Sequence, residues 1–187
     1  MRVFSHTTMA ERLALFDLAR ALPRGARVLE IGSHFGSSAL FLGAALNQRE
    51  GSLLCVDTWA NETMPDGEQD TFARFSANTA PFAHLITPIR KRSDRLTPDD
   101  IGGPLDMVFI DGDHSEEAVR HDLALTAPFV KQDGVVAFHD LRGGVYPGVG
   151  VVIGEAIASR EWHLERLIDA LAIIRRVSPH QIRDHPC

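Results

Sequence analysis

The chain has 187 residues, which at about 150 residues per domain argues for a single domain. Hydrophobic residues make up 44% and charged residues 24%, enough apolar material for a sizeable core, which excludes a disordered chain. The formal charge of −6 excludes the basic face that general nucleic-acid binding needs; the one compact basic run, Arg90-Lys91-Arg92, reads as a solvated loop or strand end.

The two cysteines, Cys55 and Cys187, have the spacing of neither a metal knuckle nor a disulfide framework, which points to a reducing compartment. No apolar run approaches the roughly 18 residues of a membrane span, and Met1 to Glu11 lacks the apolar segment of a signal peptide. A cytoplasmic protein without a membrane partner is expected.

Thr8-Met9-Ala10-Glu11 is a capping box that opens a helix, and Pro23-Arg24-Gly25 ends it. Leu13 and Phe16 alternate with Leu15, Leu18 and Leu22, so a wide apolar side is expected. Four short apolar runs follow: Val28-Leu29-Glu30-Ile31, Leu53-Leu54-Cys55-Val56, Met107-Val108-Phe109-Ile110 and Val135-Val136-Ala137-Phe138. Near-continuous apolar runs are how strands buried on both faces of a parallel sheet read. Leu85-Ile86-Thr87 is a weaker fifth. Helices are expected over Ser37 to Asn47, Asp70 to Asn78, Ser115 to Phe129 and Gly150 to Ser159. Trp162 to Ile168 and Leu171 to Val177 read as two strands around a tight turn at Asp169-Ala170. Alternating strands and helices with short connections imply an α/β fold. A doubly wound, Rossmann-like sheet of about seven strands is expected, mostly parallel, with one antiparallel strand near the C-terminus.

Ligands of open α/β sheets bind beyond the carboxyl ends of the strands. The first run carries Glu30 and continues into Gly32-Ser33-His34-Phe35-Gly36; the second ends in Asp57. The third ends in Asp111-Gly112-Asp113-His114, and the fourth in His139-Asp140. Four polar ends on one edge are hard to explain by structure alone. The glycine turn before a buried helix can cradle a cofactor. It lacks the central glycine of the dinucleotide pattern, and no phosphate-binding Gly-Lys-Ser/Thr follows. Both points count against a nicotinamide-dependent oxidoreductase. An acid at Glu30 suits a positively charged cofactor, and Asp57 is placed to accept hydrogen bonds from ribose hydroxyls.

Val28 to Ser38 resembles the first motif of class I S-adenosylmethionine-dependent methyltransferases, and Asp57-Thr58-Trp59 resembles their ribose-binding acid and its neighbours. Phe109 to Ser115 with Gly134 to Asp140 is similar to a narrower group. That group comprises small-molecule O-methyltransferases related to catechol O-methyltransferase and to macrolide-sugar enzymes. The resemblance runs from about Arg27 to Val177, with residues 1–26 as an N-terminal helix and 178–187 as a tail of the single domain. It implies that Glu30, Gly32, Ser33, His34, Gly36 and Ser38 surround the methionine part of S-adenosylmethionine. It also implies that Asp57, Thr58, Trp59 and Ser93 face the adenosine, with Asp111 and His114 near the methyl group. A core aromatic is the other reading of Trp59, a helix N-cap that of Ser93, a turn residue that of His34 and a capping role that of His114.

Metal-dependent members of the group hold a divalent ion with an acid and two adjacent polar residues, which match Asp111, His139 and Asp140 here. Imidazole at His139 favours Mn²⁺, Fe²⁺ or Zn²⁺ over Mg²⁺. The metal-free alternative uses His139 or His114 as general base; a non-catalytic cofactor-binding protein of the same fold is the third reading. The acceptor is expected to be a small molecule methylated at a hydroxyl oxygen. The loops Ala60 to Gln69 and Leu141 to Gly150, the latter with Tyr146, are expected to form its pocket. With no room for a separate recognition domain, selectivity falls to these loops, the N-terminal helix, or a second copy of the chain in a homo-oligomer.

Overall fold

A computed structural model describes residue 3 and residues 5–60, 67, 69–141 and 145–177. The tail 178–187 with Cys187, most of the Ala60 to Gln69 loop, and residues 142–144 lie outside the described residues. The apolar runs become β1 (Arg27–Ile31), β2 (Ser52–Asp57), the weaker β3 (Ile86–Arg90), β4 (Leu105–Ile110) and β5 (Val130–Phe138), all parallel. The closing hairpin is β6 (Trp162–Ile168) and β7 (Leu171–Arg176). Together they form one seven-stranded sheet in the order β3-β2-β1-β4-β5-β7-β6, with β7 antiparallel to both neighbours. This is the doubly wound sheet the sequence implies.

Burial explains the order. β4 is buried at every position and β1 at all but its first, so both take the centre. β3 carries Pro88, which cannot donate to a ladder and is tolerated on an edge strand. At the other edge β6 exposes most of its residues.

The helices cover both faces. α1 (Met9–Ala21), α2 (Ser37–Asn47) and α3 (Phe72–Thr79) pack on one side, against Val28, Leu53, Cys55, Met107, Phe109 and Ala137. α4 (Pro98–Ile101), α5 (Glu116–Thr126) and α6 (Pro147–Ala158) pack on the other, against Leu29, Val56, Val108, Ile110 and Phe138. α4 was not expected: at four residues it shows no periodicity, and only the Thr97–Asp100 capping box marks it. α1 opens with the expected Thr8–Glu11 box. Its buried stripe is narrower than expected, Ala14, Leu15 and Ala19, while Leu13 stays 49% exposed. No helix among the described residues is long and apolar enough to cross a membrane.

The turn after β1 fixes the upper edge of the sheet. Gly32 has φ +88, and a Cβ there would lie 2.0 Å from the Asp111 carbonyl oxygen. The β1 and β4 ends can therefore approach only because residue 32 has no side chain. Gly25 has a similar φ of +74 but faces open space. We expect Gly25→Ala to cost about 1 kcal/mol and Gly32→Ala more than about 3 kcal/mol or all folding, read from urea unfolding midpoints. Equal losses would show that backbone conformation, not the close approach, sets the need for glycine.

Candidate active site

Side chains alternate along a strand, so Glu30, Asp57, Asp111 and His139 all continue the series of the face covered by α1 and α2. Above them lies a cavity of about 1300 Å³ over the carboxyl ends of β1, β2, β4 and β5. Its lining includes Gly32, Ser33, His34, Ser38, Asp57, Thr58, Ser93, Asp111, His114 and Asp140, with Ser5, His6 and Thr7 from the N-terminal segment. A smaller cleft of about 290 Å³, at Leu13, Phe16, Leu40, Phe41, Ala44 and Phe82, is apolar throughout and offers no chemistry.

Asp57 organises the β2 end. Its Oδ2 accepts from the His34 backbone N–H at 2.8 Å and its Oδ1 from the Trp59 N–H at 2.7 Å. The Trp59 indole in turn donates to the His34 carbonyl at 2.9 Å. His34 and Trp59 both have positive φ, 43° and 52°. Such strain, unusual for a bulky residue, persists only where surrounding contacts over-determine it. The two loops thus lock each other and leave the carboxylate facing the cavity.

Three residues expected at the cofactor lie behind the wall instead. Trp59 is fully buried against Phe72 and Phe75, so its core reading holds and it supports the loop from beneath. Gly36 does not line the cavity; a Cβ there would come 2.7 Å from Thr79 Cγ2, so it serves the packing of α2 on α3. Glu30 is fully buried, accepting from the Ser33 hydroxyl at 2.6 Å and the Cys55 thiol at 3.4 Å, with Oε1 unpaired. Burial pushes its carboxyl up to about 7, against the hydrogen bonds of Ser33, Ser38 and Cys55. Only through Ser33 and Ser38 does it reach the cavity wall.

Ser93 lines the cavity and is no N-cap; it begins a short 3₁₀ turn capped by Arg92. Asp122 of α5 lies below it and gave no sequence signal beyond a helical position. It is fully buried, with neither oxygen in a hydrogen bond of full geometry. Burial pushes its carboxyl up to about 6, and the Ser93 hydroxyl and His121 oppose the shift only in part. The basic run is neutralised locally: Arg90 pairs with Asp70, Lys91 with Asp100 and Arg92 with Asp94.

A cluster of two acids and two histidines sits at the β4 and β5 ends. His139 Nδ1 lies 3.1 Å from Asp111 Oδ1 and 3.2 Å from Asp140 Oδ2. Consecutive strand residues point to opposite faces, but Asp140 has φ 60. This left-handed residue turns its carboxylate back beside the histidine that precedes it. His114 Nε2 reaches Asp140 Oδ2 at 3.1 Å, and its ring packs at 4.5 Å against Tyr146. His139 itself is 4% exposed and does not line the cavity; it faces the cavity only through the two carboxylates. Its Nε2 lies 3.1 Å from Glu11 Oε2, on the N-terminal helix. Glu11 was legible only as the third residue of a capping box, which gives no hint of this second contact. Burial disfavours a charged His139 ring, yet Asp111 and Asp140 outweigh it and push the pKa up to about 11.

These atoms fit a divalent ion. One ligand atom each from Asp111, His139 and Asp140 lies within 4.8 Å of the others. His139 Nδ1 has no hydrogen bond of proper direction despite the two close oxygens. Two bonds of about 2.1 Å at a right angle would set ligand atoms about 3 Å apart, the spacing found here.

Sheet order, glycine turn and strand-end cavity together are those of a class I methyltransferase that uses S-adenosylmethionine. A family model described as a methyltransferase domain matches residues 29–141, well over half of the chain, and the chain belongs to that family. Solved structures agree in fold. Cofactor-bound Rv0187 from MTB superposes with a TM-score of 0.74 at 17% identity, covering 94% of this chain and 83% of that one. The O-methyltransferase TomG from Streptomyces achromogenes, in complex with SAM, gives 0.69 at 19% identity, covering 92% and 82%. An rRNA methylase from Streptococcus thermophilus gives 0.64 at 9% identity, covering 93% and 100%.

The buried Asp122 carboxyl has a testable sign. Its folded pKa, about 6, lies above the ordinary aspartate value of 3.8. The native state therefore holds the proton more tightly, and stability falls as pH rises from about 4 to 6, by up to about 3 kcal/mol. Asp122→Asn is expected to be more stable than wild type at pH 7 and to lose that advantage below pH 4, in urea unfolding at both values.

Proposed function

We propose that the protein transfers the methyl group of S-adenosylmethionine to a hydroxyl oxygen of a small-molecule acceptor, with a divalent ion held by Asp111, His139 and Asp140. The observation that carries this reading is the convergence of those three ligand atoms, with Asp111 and Asp140 on the cavity wall and the His139 Nδ1, in no directed hydrogen bond, just behind them. S-Adenosylmethionine supplies an electrophilic methyl on a cationic sulfur. A divalent ion at the cluster, Mn²⁺ rather than Mg²⁺ given the imidazole donor, would supply a Lewis acid that lowers the acceptor hydroxyl's pKa.

The chain's own residues do the positioning, which is most of what an in-line methyl transfer requires. Asp57 keeps lone pairs for the ribose hydroxyls, Thr58 and Ser93 flank the adenosine, and Gly32, Ser33, His34 and Ser38 wall the methionine end. The cavity volume of about 1300 Å³ exceeds the 300–1000 Å³ of a typical single-ligand site, which supports a cofactor and a small acceptor side by side. Val145, 69% exposed, and Tyr146, 41% exposed, offer an apolar edge beside His114. Asp113, Glu116, Glu117 and Asp140 make the same lining acidic, which disfavours a polyanionic acceptor such as RNA.

The metal-free reading is favoured by one contact, His114 Nε2 to Asp140. His114 lines the cavity and could act as general base, whereas His139 is walled off from it. Chelation separates the two. Metal-stripped protein is expected to lose at least tenfold in methyl transfer, with Mn²⁺ restoring more than Mg²⁺. Full activity without metal would move the proton-accepting role to His114. For the cofactor, Asp57→Asn should weaken S-adenosylmethionine about 30-fold by calorimetry, about 2 kcal/mol, and unchanged affinity would overturn the ribose assignment.

A further inference from the structure

We infer that Glu11 is a positioning residue of this site: from the N-terminal helix it holds a proton on His139 Nε2 and thereby aims Nδ1 at the Asp111 and Asp140 oxygens. The inference rests on the metal-assisted reading above for its consequence, but not for its geometry.

Glu11 is 1% exposed, and every hydrogen-bond contact of its carboxyl group is with a nitrogen that can donate. Oε1 accepts from the Ala170 N–H at 2.7 Å. Oε2 accepts from the Thr8 N–H at 2.7 Å and meets His139 Nε2 at 3.1 Å. Both Glu11 oxygens already accept from backbone N–H groups, so they meet Nε2 as acceptors, and an N–H on the ring at Nε2 satisfies the contact. With Nε2 facing Glu11, the ring turns Nδ1 toward the Asp111 and Asp140 oxygens without a directed hydrogen bond, and a metal ion there would take the place of the Nδ1 proton.

Helix capping alone does not account for this arrangement. The other capping box among the described residues, Thr97–Asp100, leaves its acid partly exposed and paired with Lys91. At Glu11 the acid is instead buried and shared between three elements: its own helix, the β6–β7 turn and the end of β5. A carboxylate behind a ligating histidine fixes ring orientation and tautomer, and its loss costs about 10–100-fold in metal affinity. Glu11→Gln exchanges one acceptor for an NH₂ group. Facing Nε2, that group would donate to the ring and move its proton to Nδ1, the position the metal needs bare.

The test uses the full-length protein and Mn²⁺ alone, titrated by electron paramagnetic resonance without substrate. Glu11→Gln is expected to weaken Mn²⁺ at least tenfold. Thr8→Ala damages the same helix cap but leaves the Glu11–His139 contact; it should lower the melting temperature and keep Mn²⁺ affinity within about twofold. In ¹⁵N-histidine spectra, the wild-type His139 Nε2 proton should appear as a slowly exchanging downfield signal that Glu11→Gln abolishes. Wild-type Mn²⁺ affinity in Glu11→Gln, or an equal loss in Thr8→Ala, would overturn the inference. If the wild type takes up no Mn²⁺, the metal reading fails instead. The nitrogen spectrum then decides alone, and an Nε2 signal unmoved by Glu11→Gln overturns the role assigned to Glu11.

Discussion

The two-residue period of buried parallel strands is the constraint on which the site depends. Glu30 pairs in register with Cys55 and Phe109, and Phe109 with Ala137. Two residues further along their strands come Asp57, Asp111 and His139. A slip of one residue in any strand would turn its end to the opposite face. Register here is set by the apolar core on both faces, so the core that stabilises the sheet also aligns the acidic row. The close approach of Gly32 to the Asp111 backbone then closes the β1 and β4 ends together.

The two ends of the sheet treat their carboxylates differently. At the amino end Asp106, 5% exposed, accepts from Lys131 at 2.8 Å and from the Arg27 N–H at 2.9 Å. At the carboxyl end the ion pairs of Asp111 and Asp140 among the described residues are with histidines alone. Acids gathered without Lys or Arg are costly unless something positive joins them. Stability alone would have placed an arginine there, as it placed Lys131 below.

Much of the fold was legible because burial on both faces leaves an unmistakable mark: β1, β2, β4 and β5 each contain the apolar run read for them. The site was legible in outline for a related reason, since a polar residue that ends such a run stands out. Depth was not legible. Gly36 and Trp59 belong to the right loops and Glu30 to the right strand, but Trp59 and Gly36 turn from the cavity through packing against Phe72, Phe75 and Thr79 of α3, and Glu30 is held beneath it by Ser33 and Cys55. Glu11 and Asp122 were missed for the converse reason. An acid at a helix start or on a helix looks solvated, and only tertiary packing shows that water is excluded. The four-residue α4 falls below the length at which periodicity speaks, and β3 reads only weakly because it is an exposed edge strand interrupted by Pro88.

The Glu11 contacts join residues far apart along the chain: Ala170 is 159 positions away and His139 is 128, with Thr8 bonded to Asp169 across 161. Contacts this distant along the chain slow folding relative to local ones. During synthesis the first helix must wait for nearly the whole chain before its acid finds its partners. The Glu11–His139 contact is therefore braced by the last hairpin, through the Ala170 N–H. A chain truncated before that hairpin would keep the turn at Gly32 and the Asp57 carboxylate but lose the Ala170 N–H that holds Glu11 beside His139.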